Sequence, residues 1–178
     1  MRYADGPTVT CETSIEAPPA SVWGLVTDIG LPARLSPELQ RAEWLDGARG
    51  LAVGARFEGR NHHELLGDWR THACVTELVE ERVFAWAVVD PDDRFGGGEP
   101  DWAHPLASWR FELAPRDGGT VLRQSARIGP ARSGVSLAVD RAPDREEAIV
   151  AMRLGELRTN IEATLRGIKS LAETGEQA

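Results

Sequence analysis

Near the C-terminus, Val150, Leu154, Leu157, Ile161, Leu165, Ile168 and Leu171 recur at intervals of three and four, while Arg153, Glu156, Arg158, Glu162, Arg166 and Lys169 fall off that stripe. This pattern predicts a long amphipathic helix with one apolar face. At 1.5 Å per residue it runs about 40 Å, enough to cross a whole domain. Asp144 with Glu147 fits a capping box at its start, Glu146 adds acid where the helix dipole favours it, and Gly175 closes it. Such a stripe has to be buried against a second element with its own apolar face.

The rest of the chain supplies strands. In Thr8–Ala17 the residues Val9, Cys11, Thr13 and Ile15 share one face, which predicts a half-buried strand. Pro18-Pro19 ends it, and two short helices follow. The first has Val22, Leu25, Val26 and Ile29 at helical spacing before Gly30, and the second lies around Pro32–Ser36. Strands are then predicted over Arg41–Leu45, Ala55–His63, Trp69–Leu78, Arg82–Val89, Ala107–Leu113 and Thr120–Ile128. Turn residues separate them, Asp117-Gly118-Gly119 being a tight hairpin, and short connections mean antiparallel neighbours. Asp90–Pro105 is a longer Gly/Pro/Asp-rich loop, and loops of that length are usually functional or disordered. After Gly129-Pro130 an irregular segment carries Val135, Leu137 and Val139. Neither a repeat nor a linker divides the chain, so residues 1–178 are expected to form a single α+β domain.

A sheet of about seven strands twists and curls around the helix, leaving space at its open end. Strand alternation identifies what faces that space: Phe57, Gly59, Asn61 and His63; Trp69, Thr71, Ala73 and Val75; Phe84, Trp86 and Val88; Trp109, Phe111 and Leu113; Leu122, Gln124, Ala126 and Ile128. Apolar walls with a few orienting polar groups are the usual lining of a small-molecule pocket. The aromatic residues would serve equally well as core filling. For Asn61 and Gln124 the pocket is the better reading, because an inward amide needs a partner and a solvated cavity provides one. Leu157 and Ile161 on the helix stripe complete the expected lining, and Trp102 in the long loop is a candidate lid with Gly96-Gly97-Gly98 as its hinge.

The net charge of -8 argues against a nucleic-acid or anionic-membrane surface, since phosphate binding needs clustered Lys and Arg. No apolar run approaches a membrane span, the N-terminus lacks a signal-peptide core, and two cysteines make no disulfide framework. A cytoplasmic location is the expectation. His62 and His63 point to opposite faces of one strand and His72 faces out, so no metal site is expected.

The order of strand, EAPPASVWGLVTDIG, meander (GARFEGRN, WRTHACVTE, RVFAWAV) and closing MRLGELRTNIEATLRGIKSLAE resembles the START and birch-pollen-allergen-like superfamily. It is most similar to the bacterial polyketide cyclase/dehydrase and lipid-transport group, also called SRPBCC, over nearly the whole chain. The resemblance implies a helix-grip fold, a curved antiparallel sheet around a long C-terminal helix. In aromatase/cyclases of this superfamily an inward Trp-x-Ser-x-Arg strand positions the poly-keto chain; Trp69, Thr71 and Ala73 stand at those places here, without the arginine. The leading expectation is therefore binding of a polyketide-like or lipid-like hydrophobic small molecule. The alternative is a cofactor-independent cyclase or dehydratase in which His63 acts as acid/base, Asn61 or Gln124 holds an oxyanion and Thr71 relays a proton. A third is a protein-interaction or co-chaperone-like module. The sequence leaves the oligomeric state, including a homodimer, open.

Overall fold

The computed structural model describes residues 1–175. After a 3-10 turn at Tyr3–Asp5 come β1 (Thr8–Ile15), α1 (Pro19–Val26), α2 (Pro32–Leu35), β2 (Leu39–Trp44), β3 (Arg56–His63), β4 (Gly67–Val79), β5 (Val83–Val89), β6 (Ala107–Arg116), β7 (Gly119–Ile128), α3 (Gly134–Arg141) and α4 (Glu146–Thr174). The strands form a seven-stranded antiparallel sheet in the order β1-β7-β6-β5-β4-β3-β2. Its concave face holds α4, a helix of 29 residues, so the architecture is the expected helix grip.

The apolar stripe of α4 is what the sheet grips. Val150, Leu157, Ile161, Leu165 and Ile168 are all buried, together with Val9 and Ile15 of β1 and Val22 and Val26 of α1. Each such side chain contributes about 1.5–3 kcal/mol on burial. Gly119 opens β7 where any side chain would collide: an added Cβ would lie 2.4 Å from the Ile15 carbonyl oxygen. Only glycine lets β1 and β7 meet at that end.

The register slips at two places in the sheet, between Leu39 and Arg41 of β2 against β3 and within β4. In β4 the register against β5 shifts between Val75 and Glu77, a bulge that reverses the alternation. Leu78, opposite Phe84, therefore joins the concave side, while Glu77, opposite Ala85, pairs with Arg110 on the convex side. Simple alternation from Trp69 would have sent Glu77 inward.

Two local expectations are corrected. The segment predicted to be irregular after Pro130 forms α3, whose first turn is capped by Ser133: its Oγ accepts from Val135 N at 3.2 Å, and Ser136 Oγ accepts from Ser133 N at 3.1 Å. The expected capping box at Asp144 and Glu147 does not form. Pro143–Arg145 makes a 3-10 turn, α4 starts at Glu146, and Arg145 at its N-cap makes no side-chain cap. The acids there hold the N-terminal segment instead. Glu146 Oε1 accepts from Tyr3 N at 2.9 Å, and Glu147 pairs with the Met1 ammonium at 2.6 Å. The Tyr3 hydroxyl donates to the Ala131 carbonyl at 2.6 Å, and burial pushes its pKa above the usual tyrosine range. Gly175 takes a left-handed conformation at the end of α4, as expected.

Candidate functional site

Between the concave face and α4 lies a cavity of about 630 Å³. Its deep wall comes from β3 to β7 and from Leu157 and Ile161 of α4. Phe111, Ala126, Leu157 and Ile161 are nearly inaccessible there, whereas Leu65 and Met152 at the mouth are 81% and 56% exposed. A shallower recess of about 600 Å³ lies beside Trp23 and Trp44.

The deep wall is an aromatic cluster built by cross-strand register. Trp86 faces Trp109, Phe84 faces Phe111, and Phe57 sits opposite Ala73. The Trp86 and Trp109 rings stack at 6.2 Å with planes 7° apart, and Trp86 also touches Phe57, Phe84 and Phe111. Aromatic pairs add about 0.5–1.5 kcal/mol beyond area burial, so this wall is stiff as well as apolar.

The mouth is formed by segments far apart in sequence. The turn between β3 and β4 brings Leu66 against Gly134, where an added Cβ would lie 2.8 Å from Leu66 Cδ1. Arg94 of the β5–β6 loop donates to the carbonyls of Leu66 and of Asp68, the latter at 2.9 Å. Phe95, next in the loop, is buried and lines the cavity, and its carbonyl accepts from Arg132 Nε at 2.9 Å.

A charged array borders one side of the cavity. Arg153 of α4 donates to both oxygens of Glu38, at 2.7 and 2.8 Å, and to Glu156 at 3.1 Å. Asn160 Nδ2 donates to Glu38 at 3.4 Å. Burial works against the guanidinium charge, but Glu38 and Glu156 outweigh it and hold the Arg153 pKa above the usual range. This array ties the segment ahead of β2 to α4.

Most residues expected in the site meet there. Phe57, Asn61, His63, Trp69, Thr71, Ala73, Phe84, Trp86, Trp109, Phe111, Gln124, Leu157 and Ile161 all line the cavity. Trp102 does not; from that loop Arg94 and the buried Phe95 line it instead. Asn61 Nδ2 donates to Thr71 Oγ1 at 3.3 Å. His63 is inward, its Nε2 3.6 Å from Glu156 Oε2, and its Nδ1 accepts from Leu65 N at 3.2 Å. That hydrogen bond occupies the lone pair of the neutral ring and leaves Nε2–H facing the carboxylate. As placed, His63 is a proton donor, and Glu156 holds the free lone pairs.

The family model described as polyketide cyclase/dehydrase and lipid transport matches residues 7–173. The chain belongs to this family. A polyketide-cyclase-like protein, Cgl2372 from Corynebacterium glutamicum, is 28% identical, with a TM-score of 0.63 over 94% of this chain and 92% of that one. One half of the di-domain ARO/CYC BexL from the BE-7585A biosynthetic pathway shares the fold of this polyketide cyclase/dehydrase family member. It has a TM-score of 0.67 and 17% identity, covering 94% of this chain and 50% of that one. Ara h 8.0201 shares it too, at a TM-score of 0.57 and 14% identity over 94% and 98% of the two chains. No curated protein matches the sequence. Among the described residues no helix is long and apolar enough to cross a membrane.

Proposed function

We propose that the chain binds a polyketide-like or lipid-like hydrophobic small molecule inside the cavity. The observation that carries this reading is the about 630 Å³ space whose deep wall is made of stacked aromatic rings, with the charged array of Arg153, Glu38 and Glu156 confined to one side. Pockets of about 300–1,000 Å³ with such linings suit drug-sized ligands. Native mass spectrometry of freshly purified protein is the direct test. A co-purified hydrophobic mass that partitions out under mild organic extraction is the expected result; protein that stays at its bare mass and takes up no apolar probe would sink the reading.

The second reading is a cofactor-independent cyclase or dehydratase, favoured by the placement of His63 against Glu156 inside the cavity. In it Glu156 takes a proton from an acidic carbon and gives it to the hydroxyl that departs as water, His63 Nε2–H hydrogen-bonds that oxygen, and Asn61 and Thr71 hold a carbonyl. Incubation with a linear poly-keto compound discriminates. A binder returns it unchanged, whereas a dehydratase returns a product lighter by one water, which His63→Gln should abolish.

A further inference from the structure

Gln124 lies on the concave face of β7 with 5% of its surface exposed, and its Oε1 is buried without a hydrogen-bond partner. Among the described residues no other buried side-chain oxygen or nitrogen is left so. Its cross-strand neighbours are Cys11 of β1 and Phe111 of β6, and Leu122 and Ala126 flank it on the same face. None of these side chains completes an amide. Other polar groups of the lining are engaged within the protein: Asn61 with Thr71, Thr164 with the Asn160 carbonyl at 3.0 Å, and Arg153 with Glu38.

Buried polar groups in native proteins almost always have partners, because leaving one unmet forfeits its hydration without return. Gln124 lines the cavity, and because Oε1 is closed off as it stands, a partner arriving from there meets the amide after a turn of the side chain about its last bond. A carboxylate or phosphate would call for a cation, and the arginines of the lining, Arg94, Arg141 and Arg153, are exposed or already paired. A hydroxyl both donates and accepts, so it satisfies the amide in either orientation of its O and N atoms. The neighbouring Phe111 and the parallel Trp86–Trp109 stack favour a flat ring system beside it.

We propose that Gln124 is a specificity-determining residue that selects planar aromatic ligands carrying a hydroxyl at their buried end. This rests on the cavity being a ligand site. The test compares 2-naphthol with 2-methylnaphthalene, which replaces the hydroxyl by a group of similar size, on the full chain and on its Gln124→Leu variant. Dissociation constants come from tryptophan quenching, and melting temperatures are recorded for the empty proteins. Gln124→Leu should shift the ratio of the two constants toward the methyl compound by about 3- to 10-fold, the factor one net hydrogen bond supplies. The empty variant should melt at or above the parent temperature, because an unpartnered amide has been removed. An unchanged ratio would overturn the role of Gln124, and so would a melting temperature several degrees lower, which would mean a structural partner inside the protein. Failure of both probes to bind the parent chain would instead overturn the cavity reading, and this inference with it.

Discussion

Replacing Ala73 by phenylalanine is expected to abolish ligand binding while the protein stays folded. Ala73 is 2% exposed, faces Phe57 and Val88 across the sheet, and forms part of the cavity wall. A benzyl group there projects into space that a ligand would occupy. In a filled core the same change would cost about 1–3 kcal/mol through overpacking. Here the cavity of about 630 Å³ accepts the ring, so stability should change by less than that. Titration of a fluorescent apolar probe against parent and variant reads the first effect, and thermal melting the second. Retained binding at parental affinity would place the ligand elsewhere, the recess beside Trp23 and Trp44 being the next site to examine.

Removing the guanidinium of Arg153 should have the largest effect on stability of any single change at the mouth. Arg153→Leu leaves Glu38, whose side chain is 16% exposed, with only the 3.4 Å bond from Asn160. Stranding one partner of a buried ion pair costs about 3–5 kcal/mol, and the residual exposure of this one places it near the lower end, about 3 kcal/mol. For a chain of this length that lowers the melting temperature by about 6–12 °C. Replacing both partners with leucine should recover at least half of the loss, because the cost lies mainly in the uncompensated charge. A double variant no more stable than Arg153→Leu would show that the pair matters through packing rather than charge.

The elements most legible in the sequence were those with sustained periodicity. The 3.6-residue stripe of α4 and the alternation of β3 to β7 placed Phe57, Trp86, Trp109 and Gln124 on the correct face without any tertiary information. What periodicity cannot carry was missed. The bulge after Val75 is a change of register, visible only against β5. α3 is two turns long, and its signal was the Ser133-x-x-Ser136 pair rather than an apolar stripe. Phe95 sits in a loop without repeat, so nothing distinguished it from Trp102. The Arg153–Glu38 pair joins positions 115 apart, and Arg153 alone reads as an ordinary residue on the wet side of a helix.

Strand order has a consequence for how this protein is made. As the chain leaves the ribosome, β2 to β6 can each pair with the strand that precedes or follows them. β1 cannot. Its register runs from Thr8 opposite Arg127 to Ile15 opposite Thr120, so the strand that comes first in this sheet's chain order waits for the one that comes last. Until β7 and then α4 emerge, the backbone edge of β1 and its apolar face both lack their partners and are open to other nascent chains. Assembly therefore ends with a non-local closing step, slow in the way long-range pairing is slow, and a chaperone that shields the N-terminal segment would act during that interval.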